Sequence, residues 1–263
     1  MSVPAPLRIA VAGASGRMGG ELARLLASDA EHYRLTAAWV GTGSSALGRD
    51  MGELAGIGVM GVACSANGDT NAEVDAVMDF STVTATPAVA RAAEARGAAL
   101  ISGVTGLDAA AHAALAEAAR RVPVLHTDNF SLGVAVLKEL AVLACERLGS
   151  GFDIEISEAH HRGKRDAPSG TARMLGRALG DEQGRIRTGA RDGSEIGYSV
   201  RRGGNVIGEH TVSFLGPHER LELTHRAEDR SLFASGALFA ARWLVTQPPG
   251  QYTLEDSIAR DGD

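Results

Sequence analysis

The chain has 263 residues, of which 44% are hydrophobic and only 4% aromatic, with a formal net charge of −6. That length suits one large domain or two modest ones, and the core must be built from Ala, Val, Leu and Ile rather than from rings. The acidic balance argues against a nucleic-acid-binding protein, and Cys64 and Cys145, far apart and in no C-x-x-C pattern, argue against a disulfide framework or a structural zinc site.

Residues 7–13 read as a short buried strand, and residues 17–28 carry Met18, Leu22, Leu25 and Leu26 at helical spacing. Strands are predicted over 34–40, 74–80, 98–102 and 122–126, and helices over 84–96 and 108–121, the latter capped by Asp108. The Gly- and Ser-rich stretch 41–71 yields no element. The alternation predicts a parallel sheet with helices on both faces. The pattern changes after Asn129. One long apolar helix covers 131–148, and residues 152–158 then alternate, with Phe152, Ile154 and Ile156 on one face and Asp153, Glu155 and Ser157 on the other. A helix over 169–179, strands over 196–201, 206–214 and 220–225, and a helix over 231–245 complete an α+β second half. Its open mixed or antiparallel sheet has one free face, which oligomerisation would cover. No run approaches the length of a membrane span, and no apolar signal segment precedes the first strand, so a cytoplasmic location is expected.

Gly13, Gly16 and Gly19 stand where the first strand meets the first helix. Glycines there permit a tight turn and close backbone approach, and the helix N-terminus offers N–H groups to a pyrophosphate. Residues 39–45, at the end of the second strand, hold no carboxylate. A site for the ribose 2′-hydroxyl normally has one, so its absence favours a 2′-phosphate, with Arg17, Thr42, Ser44 or Ser45 as donors. A loop that contributes little is the alternative.

Residues 158–172 concentrate the polar chemistry. His160, His161, Arg162, Lys164 and Arg165 fall within six positions, and Ser169 is a natural N-cap for a following helix. Histidine exchanges protons near neutral pH, lysine neutralises developing negative charge, and the first amides of a helix, at Gly170 and Thr171, receive a carboxylate. The competing reading is a solvated basic loop. A metal site built from His160, His161, His210, His218 and His225 has no supporting spacing.

The ordered series Gly13–Gly19, Asp79–Ser81, Gly103–Gly106, Asn129–Ser131, Glu158–His161 with Lys164 and Asp166–Thr171, Gly208–Thr211 and Glu219–His225 spans nearly the whole sequence. In these motifs the chain resembles the 4-hydroxy-tetrahydrodipicolinate reductase (dihydrodipicolinate reductase) family. The resemblance implies a Rossmann-like doubly wound parallel sheet plus an α+β substrate-binding and oligomerisation domain with an open mixed sheet. It implies a dinucleotide-binding domain over 1–130, a substrate-binding and tetramerisation domain over 131–239, and a C-terminal helix and tail, 240–263, that return to the first. The implied reaction is reduction of a cyclic imine dicarboxylate by NADPH or NADH in the diaminopimelate route to lysine, by a homotetramer. His160 matches the proton donor/acceptor, and Lys164 the second proton donor. His161, Gly170 and Thr171 match the substrate-binding set. Gly13, Ala14, Ser15, Gly16, Arg17, Met18, Gly103, Val104, Thr105, Thr127, Asp128, Asn129 and Phe130 match the cofactor-binding positions.

Three positions depart from the family's usual pattern: Val40 and Gly41 in place of an acidic–basic pair, Val104 in place of Thr, and Phe239 at a position often basic, with Arg242 three residues on. Two other readings of the chain are a different two-domain nicotinamide dehydrogenase and a non-catalytic nucleotide sensor. Neither accounts for His160 together with Lys164. His210 and His225 are expected as satisfied residues of the sheet.

Overall fold

The computed structural model describes residues 5–69, 71–181, 184, 186 and 195–259. The chain forms two compact units, one made of the segment up to Phe130 together with the segment from Ser231 onward, the other of Ser131–Arg230.

In the first unit, strands β1 (Leu7–Ala12), β2 (Tyr33–Val40), β3 (Cys64–Ala66), β4 (Ala76–Asp79), β5 (Ala99–Ser102), β6 (Pro123–His126) and β11 (Gly250–Tyr252) form a seven-stranded sheet in the order β11-β6-β5-β4-β1-β2-β3. Every pairing is parallel. The order reverses between β1 and β4, the place where open parallel sheets bind ligands beyond their carboxyl ends. Strands buried on both faces read as short apolar runs, which is why β1, β4 and β5 are legible from sequence. Helices α1 (Arg17–Ser28), α3 (Thr86–Arg96) and α4 (Ala109–Ala118) follow β1, β4 and β5. Ala-rich faces allow close packing in a core centred on Val77, Val89, Leu100, Leu115 and the fully buried Trp39.

Two elements lie in the stretch that the pattern left unassigned, helix α2 (Met51–Ala55) and β3. A side chain organises them, because the carboxylate of Asp50 accepts from the amides of Gly52, Glu53, Met60 and Val62. Helix α7 (Ser231–Leu244) packs on α1 and β5, and a short helix α8 (Leu254–Ile258) packs on α7. The return to the first unit therefore begins at Ser231, because a boundary at 239/240 would cut the continuous buried face Ala234–Ala237–Ala241–Leu244 of one helix. The last residues of the expected tail, 260–263, lie outside the described residues.

In the second unit, β7 (Asp153–His160), β8 (Gly197–Arg202), β9 (Gly208–Leu215) and β10 (Arg220–Ala227) form a mixed sheet in the order β10-β9-β7-β8, with only β7 and β8 parallel. Helices α5 (Leu132–Leu148) and α6 (Gly170–Ala178) supply Leu137, Ala141, Ala172 and Leu175 to a core shared with Ile156, Tyr198, Val212 and Phe214. The other face of the sheet is polar, with a Thr211–Thr224 hydrogen bond of 3.0 Å, a contact from Ser199 to Glu155, and an ion pair of Arg226 with Glu209. His210 and His225 are cross-strand partners, and each reaches a serine that caps a helix. His210 Nε2 lies 3.0 Å from Ser169 Oγ at the start of α6, and His225 Nε2 lies 3.1 Å from Ser131 Oγ at the start of α5. Among the described residues, no helix is long and apolar enough to cross a membrane.

Candidate active site

The first unit gathers the glycine loop, residues 103–105 and residues 127–130 at the carboxyl ends of β1, β5 and β6. Gly13 has φ +80°, and a Cβ there would lie 2.3 Å from the Phe80 carbonyl oxygen. At Gly19 a Cβ would lie 2.3 Å from the carbonyl oxygen of Ala14. One glycine thus serves the turn at the crossover between β1 and β4, and the other serves close packing of α1 on the loop. The amides of Gly13 and Ala14 both donate to the Trp39 carbonyl, so these two residues shape the loop. Ser15, Gly16 and Arg17 are exposed, and α1 has no side-chain cap. By contrast, Asp108, Ser131, Ser169 and Thr253 cap α4, α5, α6 and α8. The uncapped first turn of α1 fits the phosphates of a dinucleotide.

The other two segments are tied to each other. The Thr127 amide donates to the Ser102 carbonyl, and His126 Nε2–H donates to the Val104 carbonyl at 3.0 Å. Gly103 lies under Phe80 and Phe130, whose ring centroids are 5.6 Å apart, and a Cβ on it would strike the Phe80 ring at 2.3 Å. The Phe130 side chain is buried in that stack, so only its backbone reaches the sheet edge. Thr105 and Asp128 are exposed, and the Thr127 hydroxyl is bonded to the backbone of Asn129. Gly13→Ala combines strain at positive φ with a backbone clash. The expected result is a loss of about 2 kcal/mol or more of stability, read as a lowered melting temperature, together with loss of dinucleotide binding in a fluorescence titration.

The second unit holds the basic segment. Glu158 and His160 continue the face of β7 that carries Ile154 and Ile156, so strand alternation carries them inward at the end of the strand. Glu158 is 1% exposed and His160 8%. His160 Nδ1 lies 2.6 Å from Glu158 Oε2, and Arg202 on β8 grips both Glu158 oxygens at 2.7 and 2.8 Å. The Ser169 amide donates to Glu158 Oε1 at 3.0 Å. Burial pushes the Glu158 carboxyl up, but the hydrogen bonds from His160 and Arg202 outweigh it and bring the group down to about 2. Burial pushes the neighbouring His210, 4% exposed, down to about 3, and His160 acts in the same direction, so His210 is neutral.

Past the end of β7 the chain turns, with the Lys164 amide donating to the His161 carbonyl. Lys164 Nζ lies 3.0 Å from Asp166. Arg202 also donates to the Asp166 carbonyl at 2.6 Å and so ties the loop to the sheet. Ser169 accepts from the Ala172 amide at 3.1 Å and caps α6. Gly170 opens that helix onto free space, since a Cβ there would meet nothing within 4 Å, and Thr171 follows in the same turn. His160, Lys164, His161, Gly170 and Thr171 therefore fall within one strand end, one loop and one helix start. Arg162 and Arg165 are exposed. The reading of residues one by one gave Glu158 no role, left out Arg202 and placed His210 as a sheet residue, yet these are the groups that hold His160. Their signal lies in the alternation of β7 and in register, which sets His160 beside Arg202 and Glu158 beside His210.

The description "Dihydrodipicolinate reductase, N-terminus" matches residues 7–130 and "Dihydrodipicolinate reductase, C-terminus" matches residues 133–258. A 4-hydroxy-tetrahydrodipicolinate reductase of Alkalilimnicola ehrlichii is 44% identical over 263 residues, covering 95% of this chain and 98% of that protein. One of Rhodopseudomonas palustris is 45% identical over 264 residues, with 96% and 97% covered. Among solved structures, a dipicolinate-bound dihydrodipicolinate reductase from Paenisporosarcina sp. TG-14 has the same fold, with a TM-score of 0.76 at 21% identity and 95% and 99% of the two chains covered.

Proposed function

The chain belongs to the dihydrodipicolinate reductase family, and we propose from that premise that it reduces the cyclic imine dicarboxylate derived from 4-hydroxy-tetrahydrodipicolinate to tetrahydrodipicolinate, using NAD(P)H. The step belongs to lysine biosynthesis through diaminopimelate. The observation that carries this reading is the set His160, Lys164 and the opening turn of α6 in one unit, which suits a dianionic substrate that must gain a proton.

A bound reduced nicotinamide supplies hydride. His160 gives or takes a proton at the substrate through its ring, and Lys164 is the second proton donor, so that the net uptake is one hydride and one proton. A substrate carboxylate competes with Asp166 for Lys164. His161 and the first turn of α6 at Gly170 and Thr171 receive a carboxylate. Gly13–Met18, Gly103–Thr105 and Thr127–Phe130 hold the dinucleotide, the first by its loop and helix start and the others by the edge of the sheet.

NADPH is the preferred form in this reading. No carboxylate stands at the end of β2, and Arg17, Thr42 and Ser45 are exposed near the glycine loop and the β2 end. NADPH is expected to bind about tenfold more tightly than NADH, the scale of one charge-assisted contact of about 1.4 kcal/mol. Equal dissociation constants at matched ionic strength would show that the missing carboxylate decides nothing. The polar open face of the second unit's sheet is the surface through which a homotetramer would form, and light scattering on the purified protein measures its mass.

The activity is tested by generating the hydroxylated precursor in situ with its synthase and following oxidation of NADPH and NADH separately. Consumption of neither would end the assignment.

A further inference from the structure

We propose that Glu158, held by Arg202, is a positioning residue that keeps the proton of the neutral His160 ring on Nδ1 and so leaves Nε2 as the nitrogen that exchanges the catalytic proton. This rests on the reading of His160 as the proton donor.

The argument starts from hydrogen-bond inventory. An ionised carboxylate only accepts, so a ring nitrogen 2.6 Å from Glu158 Oε2 must carry a hydrogen. The other tautomer would set the lone pair of Nδ1 against an anion in a buried site. Glu158 has no freedom to relieve that conflict. Its two oxygens accept from His160, from both terminal nitrogens of Arg202 and from the Ser169 amide, which fills the usual acceptor sites of a carboxylate. Arg202 also keeps the group charged, in line with its lowered carboxyl.

The far side of the ring meets a residue without a side chain. Nε2 of His160 faces Gly208, where a Cβ would stand 3.1 Å from that nitrogen, and any side chain there would cover it. His210 also packs on this ring, meeting His160 edge-on with centroids 5.1 Å apart. His210 Nε2 is engaged by Ser169 and burial holds that ring neutral, so it packs against the imidazole as an edge-on brace. One nitrogen is thus locked by a carboxylate, the ring packs edge-on against a second histidine, and the other nitrogen faces a glycine that sets no side chain against it.

A purely structural Glu158 would do no more than tie the loop 161–169 to the sheet through Arg202 and Ser169. Two readouts separate the roles. In the wild-type protein labelled with ¹⁵N-histidine, the neutral His160 ring is expected as the Nδ1–H tautomer, and in Glu158→Gln as a mixture. In steady-state kinetics with saturating NADPH, Glu158→Gln is expected to lower kcat about 10- to 100-fold, to change KM for the imine dicarboxylate less than about threefold, and to raise the solvent deuterium isotope effect on kcat. An Nε2–H tautomer in the wild type overturns the proposal, and that measurement needs no variant to fold. Wild-type turnover in Glu158→Gln beside a slow His160→Ala overturns it while the role of His160 stands. Wild-type turnover in His160→Ala overturns both.

Discussion

Replacing His160 or Lys164 by alanine should each lower kcat by roughly 10²-fold or more, about 2.7 kcal/mol in the barrier, while NADPH binding survives. The reasoning is one of placement. Both residues lie in the unit formed by Ser131–Arg230, and the segments proposed to hold the dinucleotide, the glycine loop, residues 103–105 and residues 127–130, belong to the other. His160 is packed against Glu158 and His210 and is 8% exposed, so alanine removes the proton carrier and leaves the carboxylate with one donor fewer. Arg202 and the Ser169 amide still satisfy Glu158, which limits the structural damage. Lys164 is more exposed and pairs with Asp166, so its removal costs little stability, since such a pair contributes about 1 kcal/mol or less. Its effect should therefore appear in turnover. Single-turnover reduction and a fluorescence titration of NADPH, run on the same preparations, measure the two quantities. Normal turnover in both variants would remove the mechanism.

Acid should destabilise the protein well before its carboxylates titrate, and His210 should be the main cause. The folded-state pKa of His210 lies at about 3, against about 6.5 when unfolded. Between those values the unfolded chain binds a proton that the folded chain refuses, so stability rises with pH across that window and is lost as pH falls through it. The loss begins below about pH 6.5 and is complete near pH 3, with a size on the order of 3–5 kcal/mol. Burial lowers His225 as well, and it adds in the same direction. Glu158 acts further down. Its pKa is depressed to about 2, so its contribution is present above its unfolded value near 4.5 and is lost as pH drops toward 2. Urea unfolding followed by circular dichroism at a series of pH values gives the slope directly. His210→Gln, which keeps a polar group facing Ser169 but does not titrate, should flatten the curve between pH 6.5 and 3.5. An unchanged slope would show that His210 is not the group that resists protonation.

The legible parts of this fold are those with a long or repeated pattern. Residues 7–28 contain an apolar strand, glycines at 13, 16 and 19 and a helix with apolar residues at i, i+4 and i+7, and the structure has β1, the loop and α1 there. The alternation at 152–158 marks β7, and the long, mostly apolar run after Ser131 marks α5. The elements that escaped are short. Strands β3 and β11 have three residues each, and α2 and α8 have five. No periodicity can be read in three residues. β3 is a strand because Ala38, Trp39 and Val40 lie beside it, and β11 because β6 offers an open edge. The division at Ser231, rather than near residue 239, has a related reason. Local pattern shows one helix over 231–245, and only its packing on α1 and β5 assigns the whole of it to the first unit.

The sequence alone determined which groups are available and where charge and glycine cluster: a strand–glycine–helix start, a strand ending in Glu158 and His160, Lys164 four residues on, and a serine-capped helix after it. These are local facts, set by backbone sterics, side-chain alternation and capping within a few residues. The tertiary structure alone decided which of those groups constrain one another. Arg202 lies 44 positions from Glu158 and His210 lies 41 from Ser169, and register across β8, β7 and β9 brings them together. Loop closure and sheet pairing are long-range events that no window of the sequence contains. The chain could therefore show a histidine fit to move protons, but not that a carboxylate, an arginine, a second histidine and a glycine gather around its ring.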